Sequence, residues 1–170
     1  MGIKGLTQLI KKNSPGAIET TNLHKISGSK VAIDSSLFIY KMLTSVKLSQ
    51  TDVEGNELKN VSHITGIFYK TINYLAVNIE PIYIFDGKPP DAKQDVIKER
   101  KEKAKASQEL MLKAETQEEK NKLEKQSIRM TREHIDDIKK LLDLMGVSYL
   151  HANGEAEAFA SELCRIGYVD

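Results

Sequence analysis

The run Pro81-Ile82-Tyr83-Ile84-Phe85-Asp86-Gly87-Lys88-Pro89-Pro90 constrains this chain more than any other. Large apolar and aromatic residues favour a pleated, buried strand. A short continuous apolar run between breakers fits a strand covered on both faces, as in a parallel sheet. Gly87 and the double proline stop it. Asp86 then stands at the carboxyl end of the strand, where open α/β sheets hold their ligands.

A second run, Lys30-Val31-Ala32-Ile33-Asp34, has the same form: apolar residues, then an acid, then Ser35-Ser36. Between the two lie a helix over residues 37–46, with Ser36 as N-cap, and a polar loop over 49–60. A helix marked by Ile64, Ile67, Phe68, Thr71, Ile72 and Leu75 follows. Strand, helices and strand make a βαβ crossover, which is parallel and right-handed. Asp34 and Asp86 are therefore expected at one edge of the sheet.

Residues 3–10 carry apolar positions at helical spacing, and 20–29 read as irregular. Residues 131–145 form a core helix stopped by Gly146, and residues 147–150 a third strand. After the loop 151–154, Ala156, Phe159, Ala160 and Leu163 mark a helix with Glu155 and Glu157 in its first turn. Residues 168–170 read as the approach to a further strand, so the sheet is expected to be incomplete at its C-terminal side. The expected class is α/β: one domain over 1–170, with three layers and a mostly parallel central sheet.

The segment 91–125 differs from the rest. It is rich in Lys, Glu, Gln and Ala, favours helix, and lacks a continuous apolar stripe. Its first part is basic: Lys93, Lys98, Arg100, Lys101, Lys103 and Lys105 stand against Asp95, Glu99 and Glu102. The whole chain has a formal net charge of only +1, so any attraction for a polyanion must be local. The single cysteine, Cys164, excludes an internal disulfide and a cysteine-based zinc site, and suits a reducing compartment. No apolar run is long enough to span a bilayer. Met1-Gly2 is not a myristoylation signal, because Leu6 stands where that motif needs Ser or Thr.

Asp34, Asp86, Glu155 and Glu157 are four acids at strand ends or at a helix start. Gathered carboxylates repel one another and need a cation or retained protons. Oxygen-only ligands suit Mg²⁺ or Mn²⁺, and such ions assist phosphoryl chemistry. Each acid also has a purely structural reading. An acid after a strand is a good turn or cap residue, and acids in a first helical turn suit the macrodipole. Residues two apart on a regular helix diverge by roughly 200°, so Glu155 and Glu157 share a target only if that turn is irregular. The pattern alone leaves both readings open.

Met1-Gly2-Ile3-Lys4-Gly5-Leu6, Val31-Ala32-Ile33-Asp34-Ser35-Ser36, Phe85 to Pro90 and Gly154-Glu155-Ala156-Glu157-Ala158 resemble, in order and at family spacing, the motifs of the flap endonucleases within the structure-specific 5′ nuclease superfamily. The resemblance implies a PIN-like 5′ nuclease core. It implies a Mg²⁺-dependent enzyme, with Mn²⁺ able to substitute and two ions in the complete domain, that cuts branched DNA with a 5′ flap in replication and repair. It makes Asp34, Asp86, Glu155 and Glu157 metal-site carboxylates. It puts Lys93 and Arg100 at the scissile phosphate, Tyr40 under a base, and the amine of Gly2 near the site. Residues 91–130 become a helical arch. Further acids, a DNA-binding region and a sliding-clamp-binding tail of the family are expected beyond Asp170, so this chain alone is expected to be catalytically incomplete. An intracellular protein is implied, nuclear if eukaryotic, with a viral source also open. Outside the resemblance stand a related metal-dependent ribonuclease and a non-enzymatic partner-binding arm.

Overall fold

A computed structural model describes residues 5–45, 49–51, 57–90, 93–111, 113–114 and 116–170. Five strands and seven α-helices are present among them: α1 Leu6–Asn13, β1 Lys30–Asp34, α2 Ser35–Ser45, β2 Ser49–Thr51, β3 Glu57–Asn60, α3 Ser62–Ala76, β4 Glu80–Phe85, α4 Gln94–Met111, α5 Gln117–Ser127, α6 Arg132–Met145, β5 Tyr149–His151 and α7 Ala156–Arg165. Strands β1, β4 and β5 form one parallel sheet in the order β1-β4-β5.

β4 is the middle strand, and its side chains alternate between two cores. Tyr83 and Phe85 face Ile33 of the neighbouring β1 and Ile39, Leu43, Ile67, Ile138 and Leu142, brought by α2, α3 and α6. Ile82 and Ile84 face Ala152, Ala156, Leu163 and Val169 on the α7 side. The period of two thus makes three layers from one strand. Burying each of these four side chains contributes about 1.5–3 kcal/mol, which offsets the roughly 1–2 kcal/mol needed to order each residue's backbone. The hydroxyl of the fully buried Tyr83 is matched by Thr71 Oγ1 at 2.7 Å.

α6 is specified at both ends. Thr131 Oγ1 accepts from the His134 backbone N–H, His134 Nδ1 accepts from that of Thr131, and Gly146 closes the helix at φ 67°. α6 meets α3 through His63 Nε2 and Asp137 Oδ2, 3.2 Å apart.

Several expectations change. Asp34, not Ser36, caps α2: its Oδ1 accepts the Leu37 N–H at 3.0 Å, so the helix begins directly after the acid. The polar stretch expected as a loop contains an antiparallel pair, β2 with β3. The third strand is shifted to Tyr149–His151, with Val147 buried beneath it. A 3₁₀ turn, Leu23–Ile26, lies in the segment read as irregular. The expected apolar stripe of α1 is not buried: Leu6 and Leu9 are exposed. The charged segment does have an internal contact. α4 packs on α5, and the buried residues there are small, Ala104 and Ser107. Ser107 Oγ donates to the Lys103 carbonyl, and the Arg129 guanidinium donates to that of Lys101. Among the described residues no helix is long and apolar enough to cross a membrane.

Candidate active site

Parallel register places the acids. Asp34 pairs with Ile84, and His151 with Phe85, so Asp34, Asp86 and the start of the β5–α7 connection share the carboxyl rim of the sheet. Asp86 reaches across that rim. Its Oδ1 accepts the backbone N–H of Ala156 at 2.9 Å, which is the first residue of α7. A carboxylate there satisfies an orphan donor and faces the positive end of the helix dipole. Asp34 and Asp86 each use Oδ1 as a cap.

The connection is held by backbone as well. Ala152 N–H donates to Phe85 O at 2.9 Å, and Gly87 N–H donates to Gly154 O at 2.7 Å. A Cβ added at Gly87 would lie 2.1 Å from Ala152 O and 2.7 Å from Asn153 C. Glycine is therefore required by close approach of two chains, a role that its reading as a strand breaker misses. The other function missed from sequence is the capping of α7 by Asp86, a contact across 70 residues.

Glu155 is the N-cap of α7, with extended backbone at φ −82° and ψ 137°. It stands outside the helix, so the helical divergence from Glu157 does not apply. Glu155 forms an ion pair with Lys93. That hydrogen bond raises the Lys93 ammonium above the ordinary lysine value, and Glu157 adds to the effect while Arg100 opposes it. Lys93 and Arg100 are thus close enough to one another and to the rim to be felt electrostatically. Asp34 is half-buried. Burial raises its carboxyl above the usual aspartate value, and the charges of Asp86 and Glu157 push it further up. Three acids from three elements therefore share one field, as clustered carboxylates must.

Tyr40 is exposed on α2, which rules out the alternative that it is core. Gly2 lies outside the described residues. Asp170 is elsewhere: its Oδ2 accepts the Lys30 N–H and its own N–H donates to Lys30 O, both at 2.8 Å, at the opposite end of β1 from Asp34.

The donors at the rim are all carboxylate oxygens, which suits a hard divalent cation. Among the described residues, however, no group of three or more His, Cys, Asp or Glu side chains could hold an ion as placed. Electrostatic proximity is present; a closed ligand shell is not, and Glu155 is engaged by Lys93.

Comparison with known proteins identifies relatives of this chain. The profile of the XPG N-terminal domain family matches residues 1–108. Flap endonuclease 1 of Scheffersomyces stipitis is 43% identical over 173 residues, covering 99% of this chain and 45% of its own length. That of Chlamydomonas reinhardtii is 42% identical, covering 99% and 44%. The chain thus spans less than half the length of these relatives. Among solved structures, the catalytic core of Rad2 in complex with DNA substrate superposes with a TM-score of 0.67 at 27% identity, over 99% of this chain and 43% of the other. Flap endonuclease-1 from Methanococcus jannaschii gives 0.59 at 33%, over 89% and 49%.

Proposed function

This chain belongs to the XPG N-terminal domain family, and on that premise we propose that it carries the acidic rim of a divalent-metal-dependent, structure-specific 5′ flap endonuclease. The observation that carries the reading is the shared field of Asp34, Asp86 and Glu157 at the carboxyl rim, with Lys93 paired to Glu155 beside it. The relatives named flap endonuclease 1 and the Rad2 core with its DNA substrate support it.

Asp34, Asp86, Glu155 and Glu157 would hold the metal, directly or through water. An ion so held supplies Lewis acidity and an acidified water for phosphodiester hydrolysis. The chain's own groups do the rest. Release of Glu155 from Lys93 frees a carboxylate for the rim and an ammonium for a phosphate oxygen. Lys93 and Arg100 then hold the scissile phosphate and stabilise the charge that builds on it. The exposed ring of Tyr40 offers a face for a base, a sequence-tolerant contact. α4 and α5 form the arch past which the single strand runs. Mg²⁺ with Mn²⁺ as substitute, two ions, the amine of Gly2, a sliding-clamp partner and a nuclear address belong to the same proposal and rest on the family resemblance.

The test is cleavage of an end-labelled 5′-flap duplex in Mg²⁺ by the complete protein. Cutting at the junction is expected, with loss in Asp86→Ala; equal rates for that variant and the parent sink the assignment. Two observations favour a second reading for the 170 residues alone. They span 45% of the first relative, and the described acids close no ligand shell. A DNA-binding portion with little catalysis would look the same. Cleavage by the rigorously purified chain, abolished by Asp86→Ala, overturns that second reading.

A further inference from the structure

The segment that joins α5 to α6 is seated on the body by two side chains. Ile128 and Met130 are half-buried and pack on the core around Tyr83 and Phe85. Arg129 between them is exposed, and its guanidinium reaches 28 residues back along the chain to donate to the carbonyl of Lys101. Lys101 lies in the middle of α4, directly after Arg100. A carbonyl inside a helix already accepts the N–H four residues on, and its second lone pair is open to another donor. A charged, planar donor makes one of the stronger hydrogen bonds and fixes its direction.

The contact matters because α4 has so little else to hold it in place. It buries only small residues, Ala104 and Ser107, in its packing with α5. Ser107 Oγ and Gln126 Oε1, near the end of α5, are 3.4 Å apart, a long hydrogen bond. Two polar ties run from α4 to the rest of the molecule. Lys93 with Glu155 ties one end to the rim, and Arg129 ties the middle to a segment fixed on the core. Among the described residues Arg129 forms no salt bridge, so the α4 carbonyl is the partner that orients it.

We propose that Arg129 is a positioning residue: it braces α4 against the core at Lys101 and so sets where the neighbouring Arg100 meets the scissile phosphate. The inference rests on the flap-endonuclease reading, and it assigns Arg129 to the helix and not to the nucleic acid. A misplacement near 1 Å at a reacting centre costs on the order of 10²-fold in rate. A brace that acts through Arg100 therefore changes turnover and leaves substrate affinity as it is.

Arg129→Met, made in the complete protein, keeps the apolar stem and removes every donor. Hydrogen exchange of the α4 amides reads the brace without catalysis. Exchange from Lys101 to Lys105 should be faster, and Arg129→Lys, which keeps one charged donor, should restore protection. On a 5′-flap duplex in Mg²⁺, kcat should fall by about 10- to 100-fold with KM unchanged. The salt slope of flap binding should stay at the parent value, whereas loss of a phosphate contact lowers it by about one. In an Arg100→Gln background the further loss should shrink to under about threefold, because one residue acts through the other. Unchanged exchange, a salt slope lower by about one, or a full loss on top of Arg100→Gln each overturns the inference and leaves the function standing. A complete parent protein that cuts no flap overturns the nuclease reading, while the exchange result still decides the brace.

Discussion

Gly87→Ala is the substitution whose consequence the structure fixes most tightly. The new methyl would meet Ala152 O at 2.1 Å, which is 1.3 Å short of the 3.4 Å at which ordinary contact begins. The atoms in the way are backbone, so no side-chain rotation relieves the clash. The β5–α7 connection must move, and it is tied to β4 by the Ala152–Phe85 and Gly87–Gly154 hydrogen bonds. Overpacking costs about 1–3 kcal/mol, and a lost hydrogen bond about 1 kcal/mol. The sum is about 2–4 kcal/mol, a fall of roughly 4–16 °C in Tm for a domain of this size. Glu155 and Glu157 move with the connection. A displacement near 1 Å at a reacting centre costs on the order of 10²-fold in rate. Gly154→Ala is the control in the same loop. Its Cβ would meet nothing within 4 Å, so it stays within about 0.5 kcal/mol of the parent. Urea unfolding and flap cleavage read both variants. Gly87→Ala that unfolds and cuts like the parent refutes the claim that close chain approach positions the acids.

Three other outcomes are expected. The raised carboxyl of Asp34 means that ionising it costs more in the folded than in the unfolded chain. That penalty is absent below the ordinary value of 3.8. It grows as pH rises through the raised value and is full above it. Asp34→Asn should therefore raise Tm at pH 7 while abolishing cleavage, and the gain should disappear near pH 3.5; a variant less stable at pH 7 contradicts this. Lys93→Gln removes an exposed cation, so its Tm should not change, while cleavage falls by about 10²–10³-fold, the scale of one lost transition-state donor. Cleavage within threefold of the parent removes Lys93 from the site. Thr131→Ala removes the α6 cap and should cost about 1 kcal/mol in urea unfolding without altering cleavage; an unchanged midpoint shows the capping box to be idle.

What could be read from sequence followed from burial. β4 announced itself because both faces are covered, and the parallel direction of the two strands puts Asp34 and Asp86 at one rim. The β2–β3 pair was invisible because Ser49–Thr51 and Glu57–Asn60 carry no apolar alternation to betray a strand. The α4–α5 contact escaped because it is made by Ala104 and Ser107, small residues that leave no stripe. Asp86 over α7 and Gly87 against Ala152 are long-range contacts, and local pattern does not encode them. A helix cap and a rim acid are compatible roles for one carboxylate. Asp34 and Asp86 do cap helices, and they still feel each other's charge across the rim.

The central claim is that carboxylates from three elements form one cation site. Titration of the isotope-labelled chain with Mn²⁺, followed by NMR line broadening, tests it most directly. Amide signals of residues 34–36, 86–88 and 155–157 should broaden first and together at substoichiometric Mn²⁺, and Asp86→Asn should suppress the effect at all three. Broadening that begins at other acids, such as Glu118 and Glu119 of α5, or that spreads evenly over the surface, contradicts the account.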